Sequence, residues 1–110
     1  MAIVKITAIG FETLTNLSRY MAEFIGEDQA IDLADSLIDT VEKTLSKYPK
    51  RCPTCHELEL IGVTDYLQLT IDKYKILYRY DEEENAVYVN AFIRHRQSAQ
   101  ELLISCALSR

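Results

Sequence analysis

A chain of 110 residues makes one domain, 1–110, long enough to bury a core without staples. Its 48% apolar and 26% charged content is ordinary for a globular protein, and a formal net charge of −5 argues against coating nucleic acid through bulk charge. No apolar run approaches the ~20 residues that cross a bilayer, the N-terminus lacks the charged-then-apolar order of a signal peptide, and three cysteines do not make a disulfide framework. A cytoplasmic protein with no membrane partner is expected, and any phosphate contact must come from a local patch.

In chain order, Ile3–Ile9 is rich in β-branched residues and stops at Gly10, so it reads as a strand. From Phe11 the period changes. Phe11, Leu14, Leu17, Met21, Phe24 and Ile25 lie three and four apart, the spacing of one helix face, and Gly26 is placed to end that helix. Asp28 is the expected N-cap of a second helix carrying Ile31, Ala34, Leu37, Ile38, Val41 and Leu45, which Pro49 stops. Residues 50–65 form a connector. Leu67, Leu69 and Ile71 alternate with polar residues as a half-buried strand. Tyr74–Tyr80 and Val87–Ile93 make a hairpin around the polar loop Glu82–Asn85, and strands so close in sequence pair antiparallel. Ser98 and Glu101 fit a capping box for a last helix with Leu102, Leu103, Cys106 and Ala107 on one face. The order β-α-α-β-β-β-α predicts an α+β fold, an antiparallel sheet with a helical hairpin packed on one face.

The chemistry gathers at the end of the hairpin. Arg94, His95 and Arg96 precede the capping box, where guanidinium groups and the positive end of a helix make an anion site. Strand alternation places Arg94 and Arg96 on one side and His95 on the other. Lys75 and Arg79, alternating on the neighbouring strand, extend the patch across the hairpin. The functional reading is contact with a phosphate, a nucleic acid or an acidic protein surface. The plainer one is a solvated strand end whose arginines pair with Glu82–Glu84 or with aspartates of the second helix. Cys52-x-x-Cys55-His56 has the spacing of a haem attachment or half a zinc site, with Cys106 or His95 as further ligands, and is read instead as a connector with partly buried thiols. Tyr74, Tyr78, Tyr80 and Tyr88 are read as sheet packing rather than base-stacking groups.

Several stretches together resemble a family: Tyr20–Ile25, Leu45–Pro49, the strand Tyr74-Lys-Ile-Leu-Tyr-Arg-Tyr-Asp81, and Ala91-Phe-Ile-Arg-His-Arg-Gln-Ser98 before a leucine helix. The chain is similar over nearly its whole length to the RelE/ParE toxins of type II toxin–antitoxin modules. The resemblance implies a small α+β toxin without cofactor or metal. It is neutralised by a cognate antitoxin that fills a groove between the sheet and the helical hairpin, giving a hetero-oligomer. It also implies one of two targets: RelE-like members cleave message in the ribosomal A site, and ParE-like members poison DNA gyrase.

Cleavage through a 2′-hydroxyl needs a base, an acid and cations for the phosphate. The RelE-like basic strand positions fall here on Tyr66, Gln68 and Thr70, the early arginine on Lys75, and the late tyrosine near Glu101. Lys75, Arg79, Arg94, His95 and Arg96 remain as target or phosphate contacts, with His95, Arg96 and Arg79 the catalytic set if the protein is a nuclease. The departures favour a ParE-like, non-catalytic toxin, although the ParE-like H-G-R-x-D segment is matched by His95–Ser98 without its glycine and aspartate. The alternatives are a ribosome-dependent mRNA interferase using Arg94, His95 and Arg96, and an inactive toxin that only binds.

Overall fold

Thr7 ends the first strand and begins the first helix. In the computed structural model, which describes residues 1–102, β1 covers Ile3–Ile6 and α1 Ala8–Ile25. The Thr7 side chain accepts the Gly10 N–H at 3.0 Å and donates to the Val89 carbonyl at 3.2 Å. This cap overrides the β propensity of Ala8-Ile9, so the strand is shorter and the helix earlier than the sequence suggested. Gly10 therefore lies inside α1, where a Cβ would stand 2.4 Å from the Val89 oxygen. Only glycine lets the helix approach the sheet this closely.

Gly26, at φ 87°, closes α1 through its N–H to Ala22 and opens α2 (Glu27–Lys47) by accepting the Ala30 N–H, each at 3.0 Å. It, and not Asp28, is the N-cap of α2. Asp28 sits in the first turn, where its charge still suits the helix dipole. Leu14 and Leu17 of α1 and Leu37, Val41 and Leu45 of α2 pack on Tyr74, Ile76, Tyr78, Val87, Val89 and Phe92 of the sheet. Phe11 and Phe24, expected in that face, are 51% and 67% exposed. Phe11 follows the contact residue Gly10 by about 100° around the helix, and Phe24 lies in the last turn beside the hairpin bend.

The sheet has the order β1-β4-β3-β2, with β2 Leu67–Ile71, β3 Tyr74–Asp81 and β4 Ala86–Arg94. The antiparallel expectation holds for β2, β3 and β4 and is amended at β1, which pairs parallel with β4, Ile3 opposite Ala86. The long connection through the helical hairpin and the meander permits it. The sheet is mixed.

One residue changes which way β4 faces. Leu77 stands opposite Ala91 and Tyr78 opposite Val89, which leaves Asn90 as an unpaired bulge. Before it, Val87 and Val89 face the helices. After it, Phe92 does, and Ala91 and Ile93 turn to the far face with Leu77, Cys55, Leu58 and Ala99. A one-residue slip reverses every later side chain.

The connector covers that far face. Thr54 bridges to Leu67, the Pro53 carbonyl accepts the Gln68 N–H at 2.9 Å, and the Cys55 N–H donates to the Tyr66 carbonyl at 2.8 Å. A one-turn helix α3, His56–Glu59, follows with Leu58 buried. No helix among the described residues is long and apolar enough to cross a membrane.

Candidate functional site: the turn at the end of the hairpin

Strand β4 stops at Arg94 because Gln97 folds back on it. The Arg94 N–H donates to Gln97 Oε1 at 2.8 Å, the Gln97 N–H donates to the Arg94 carbonyl at 3.0 Å, and the His95 N–H donates to the Lys73 carbonyl at 2.7 Å. His95 and Arg96 thus occupy an exposed turn, and strand alternation does not extend to them. Arg94 stays on the helix side, as the bulge dictates. Its guanidinium lies 3.8 Å from the ring centroid of Tyr20, whose ring is 5.1 Å from that of Phe24. A cation and two aromatic rings form a short stack on α1.

The turn borders a cleft of about 460 Å³ lined by Met21, Thr70, Lys73, Tyr74, Arg94 and Arg96, with Asp72 and His95 completing the wall. On the other side of Arg94, Thr13, Tyr20, Gln97 and Leu102 line a smaller hollow of about 260 Å³. The ion pairs among the described residues join Lys43 to Asp39, Lys50 to Glu82 and Lys75 to Glu57. None involves Arg94 or Arg96, so the pairing of these arginines with Glu82–Glu84 or the α2 aspartates does not occur there.

The helix start behind the turn is already filled. Ser98 Oγ accepts the Glu101 N–H at 3.2 Å, as the capping box predicts, and the Ala99 N–H donates to Glu57 Oε2 at 2.8 Å. An incoming anion therefore finds the arginines, while the Ala99 and Glu101 N–H groups are already taken. Residues 99–102 form the described helical turn. Leu103, Cys106 and Ala107, expected on the helix's buried face, lie outside the described residues.

Lys75 leaves the expected patch. It is 3% exposed, and its ammonium donates to Glu57 Oε1 and, at 2.8 Å, to the Gln97 carbonyl. Burial pushes the Glu57 carboxyl up, but the hydrogen bonds from Lys75 and Ala99 and the charges of Lys75 and His95 outweigh it and hold it below its ordinary value.

Arg79 is separated too. It stands opposite Tyr88, while Arg94 stands opposite Tyr74. Five residues of strand are roughly 17 Å. Arg79 shares the outer face with Tyr66, at 5.8 Å from its ring, and borders a hollow lined by Asp65 and Asp81–Glu84. In the same region Lys5 lies 5.7 Å from the Tyr88 ring, and the hydrogen bond from the Tyr88 phenol to Glu84, at 3.0 Å, raises that phenol's pKa. The expected single patch is two. The bulge at Asn90 places Arg94 on one sheet face, and unbroken alternation on β3 leaves Arg79 on the other.

Cys52 and Cys55 diverge. Cys55 is buried on the far face, whereas Cys52 is partly buried against the main core, where burial and the Cys52 side chain push the Tyr78 phenol up. His56 is exposed at the start of α3, beside Arg51 and Cys52 in an open hollow. Among the described residues no group of three or more His, Cys, Asp or Glu side chains could hold a metal. Of the tyrosines, Tyr74 and Tyr78 are buried and Tyr80 and Tyr88 half-buried, in keeping with packing.

Tyr20, Lys73 and Glu57 were missed as site residues by sequence reasoning. Tyr20 and Phe24 carried a signal in their i, i+4 spacing. Glu57 carried none.

The family model for the ParE toxin of the type II toxin–antitoxin system parDE matches residues 11–99. No curated protein matches significantly. Among solved structures, the chain is similar to one from the chromosomal ParDE system of P. aeruginosa (16% identity, TM-score 0.67, covering 86% of this chain and 96% of that one). It is also similar to one from the RelBE2 toxin–antitoxin complex of Mycobacterium tuberculosis (19%, TM-score 0.60, 84% and 96%). The isolated E. coli RelE toxin matches at 14% identity and TM-score 0.53, over 100% of this chain and 98% of that one. These likenesses establish the RelE/ParE fold. With its sequence matched by the family model over most of its length, the chain belongs to the ParE toxin family of type II toxin–antitoxin systems.

Proposed function

We propose that this toxin is a non-catalytic inhibitor of DNA gyrase, contacting its target through Arg94, His95 and Arg96 and neutralised by a cognate antitoxin protein. The observation that carries the choice is Lys75. Ribosome-dependent cleavage requires cations that reach the scissile phosphate, and the position that the RelE-like resemblance gives to an arginine is here a buried lysine. Two of its three donors are taken by Glu57 and Gln97. Gln68 and Thr70 on β2 supply no charge to replace it. What remains accessible is a contact surface, with a cation stacked on Tyr20 and two ionisable groups in an exposed turn. The family match supports the same direction. The structures of the P. aeruginosa and M. tuberculosis systems support an antitoxin partner, both being described as toxin–antitoxin assemblies.

The test is to titrate purified toxin into a gyrase supercoiling assay and, in parallel, into ribosomes carrying message. Inhibited supercoiling with intact message is expected, lost on Arg96→Ala. Codon-specific cuts that disappear on His95→Ala would instead assign the turn to an mRNA interferase. Neither effect, together with no growth defect on induction, would mark an inactive toxin.

A further inference from the structure

The Arg94–Arg96 turn begins at the end of its strand and is closed locally by the two bonds between Arg94 and Gln97, and a short exposed turn draws little more than that from its own residues. The further bonds that anchor its downstream limb come from elsewhere in the chain and converge on one side chain. Glu57 Oε1 holds the Lys75 ammonium, which in turn donates to the Gln97 carbonyl, and Glu57 Oε2 accepts the Ala99 N–H. The Glu57 carbonyl also accepts from Gln100 Nε2 at 2.7 Å. Upstream, His95 is pinned to the Lys73 carbonyl.

We infer that Glu57, working through Lys75, is the positioning residue of the target-contacting turn, the part that holds Arg94, His95 and Arg96 in one presentation. The inference rests on the proposed role of that turn. The chemistry requires a carboxylate of this length. Two acceptor oxygens point at two different donors, one charged and one a backbone N–H, and an amide would turn its own NH₂ toward one of them. The arrangement also explains why the connector carries α3. A single helical turn is unstable alone, and Leu58 and Cys55 bury it against the far face of the sheet beside Ala99 so that Glu57 faces β3 and the last helical turn. An interchangeable ion pair would need none of this directionality.

Glu57→Gln and Lys75→Met, with Arg96→Ala as the benchmark for the turn's role, separate these ideas. Amide hydrogen exchange on the free toxin is expected to quicken about tenfold or more at residues 95–99 in Glu57→Gln, while the centre of the β3–β4 pair keeps wild-type protection. The toxin concentration that half-inhibits supercoiling is expected to rise by a similar factor. The swapped pair Glu57→Lys with Lys75→Glu is expected to restore neither, because the Ala99 N–H then meets an ammonium and the Gln97 carbonyl a carboxylate. Wild-type exchange in Glu57→Gln, or wild-type inhibition beside altered exchange, overturns the inference, and so does rescue by the swap. Should Glu57→Gln fail to fold, Lys75→Met removes the Gln97 limb and is read by the same criteria. If Arg96→Ala inhibits gyrase as well as wild type does, the reading of the turn has failed, and the exchange data still decide what Glu57 holds.

Discussion

Arg94 and Tyr20 are brought together by an insertion elsewhere: the guanidinium lies 3.8 Å from the ring centroid because the bulge at Asn90 turns the end of β4 toward α1. Tyr20 is 38% exposed, so the contact is a surface cation–π pair worth about 0.5–1 kcal/mol. A double-mutant cycle on Tyr20→Leu and Arg94→Met, read by denaturant midpoints, is expected to give a coupling of that size. Additive losses would show that the stack holds nothing. The cleft beside Arg94 loses a wall when the stack is released, so Tyr20→Leu is also expected to weaken target inhibition several-fold.

Gly10 makes a sharper prediction. In an exposed helix, alanine would be the better residue by about 1 kcal/mol. Here its methyl carbon would meet the Val89 carbonyl at 2.4 Å, and neither backbone can rotate out of the way. Overpacking wins. Gly10→Ala is expected to destabilise the fold by about 2 kcal/mol or more, seen as a lower urea midpoint, and an unchanged or higher midpoint would contradict the close helix–sheet approach.

The Tyr78 hydroxyl is fully buried and, among the described residues, has only the neighbouring Cys52 thiol beside it and no hydrogen-bond partner at bonding distance. Removing one oxygen there leaves no orphaned partner and recovers a desolvation cost. Tyr78→Phe is therefore expected to leave stability unchanged or raise it by up to about 1 kcal/mol. A loss of more than that would mean that the phenol is bonded in solution, with the neighbouring Cys52 thiol the first group to examine.

Glu57 gives the fold an acid-sensitive joint. Its carboxyl is held below its ordinary value by the bonds from Lys75 and Ala99. A depressed folded pKa contributes stability that is complete above the unfolded value and is lost as pH falls through the folded one. Wild type is expected to exceed Glu57→Gln in thermal midpoint near neutral pH, with the gap closing below about pH 4. A gap that persists undiminished at about pH 3 would show that the ionised carboxylate is not its source.

Element types were legible in the sequence because periodicity reports burial. Leu14, Leu17, Leu37, Val41 and Leu45 fall on helix faces, and Leu67, Leu69 and Ile71 alternate, as they do in the fold. Boundaries failed where a single local bond decided them, as Thr7 did at the start of α1 and Gly26 at the start of α2. The site was only half legible. Arg94, His95 and Arg96 are adjacent in the chain and remain together. The grouping of Lys75 and Arg79 with them assumed an unbroken register, and Asn90, a lone amide in an apolar run, was the unread mark of the break. Glu57 became a partner of Lys75 only through the path of the connector, which no period encodes.

The parallel pairing of β1 with β4 has a consequence for synthesis on the ribosome. Ile3–Ile6 are made well before their hydrogen-bonding partners, Ala86–Val89, which emerge only after both long helices and two other strands. The helices can form as they appear, since their contacts are local, but the sheet cannot close until β4 is present. Gly10, Thr7 and Thr13 all seat against β4, through the Val89 carbonyl or the Phe92 N–H, so before then α1 can settle only on α2 and not on the sheet. Nascent chains halted before β4 would lack both the scaffold and the Arg94–Arg96 turn, so neither exists until β4 has been made.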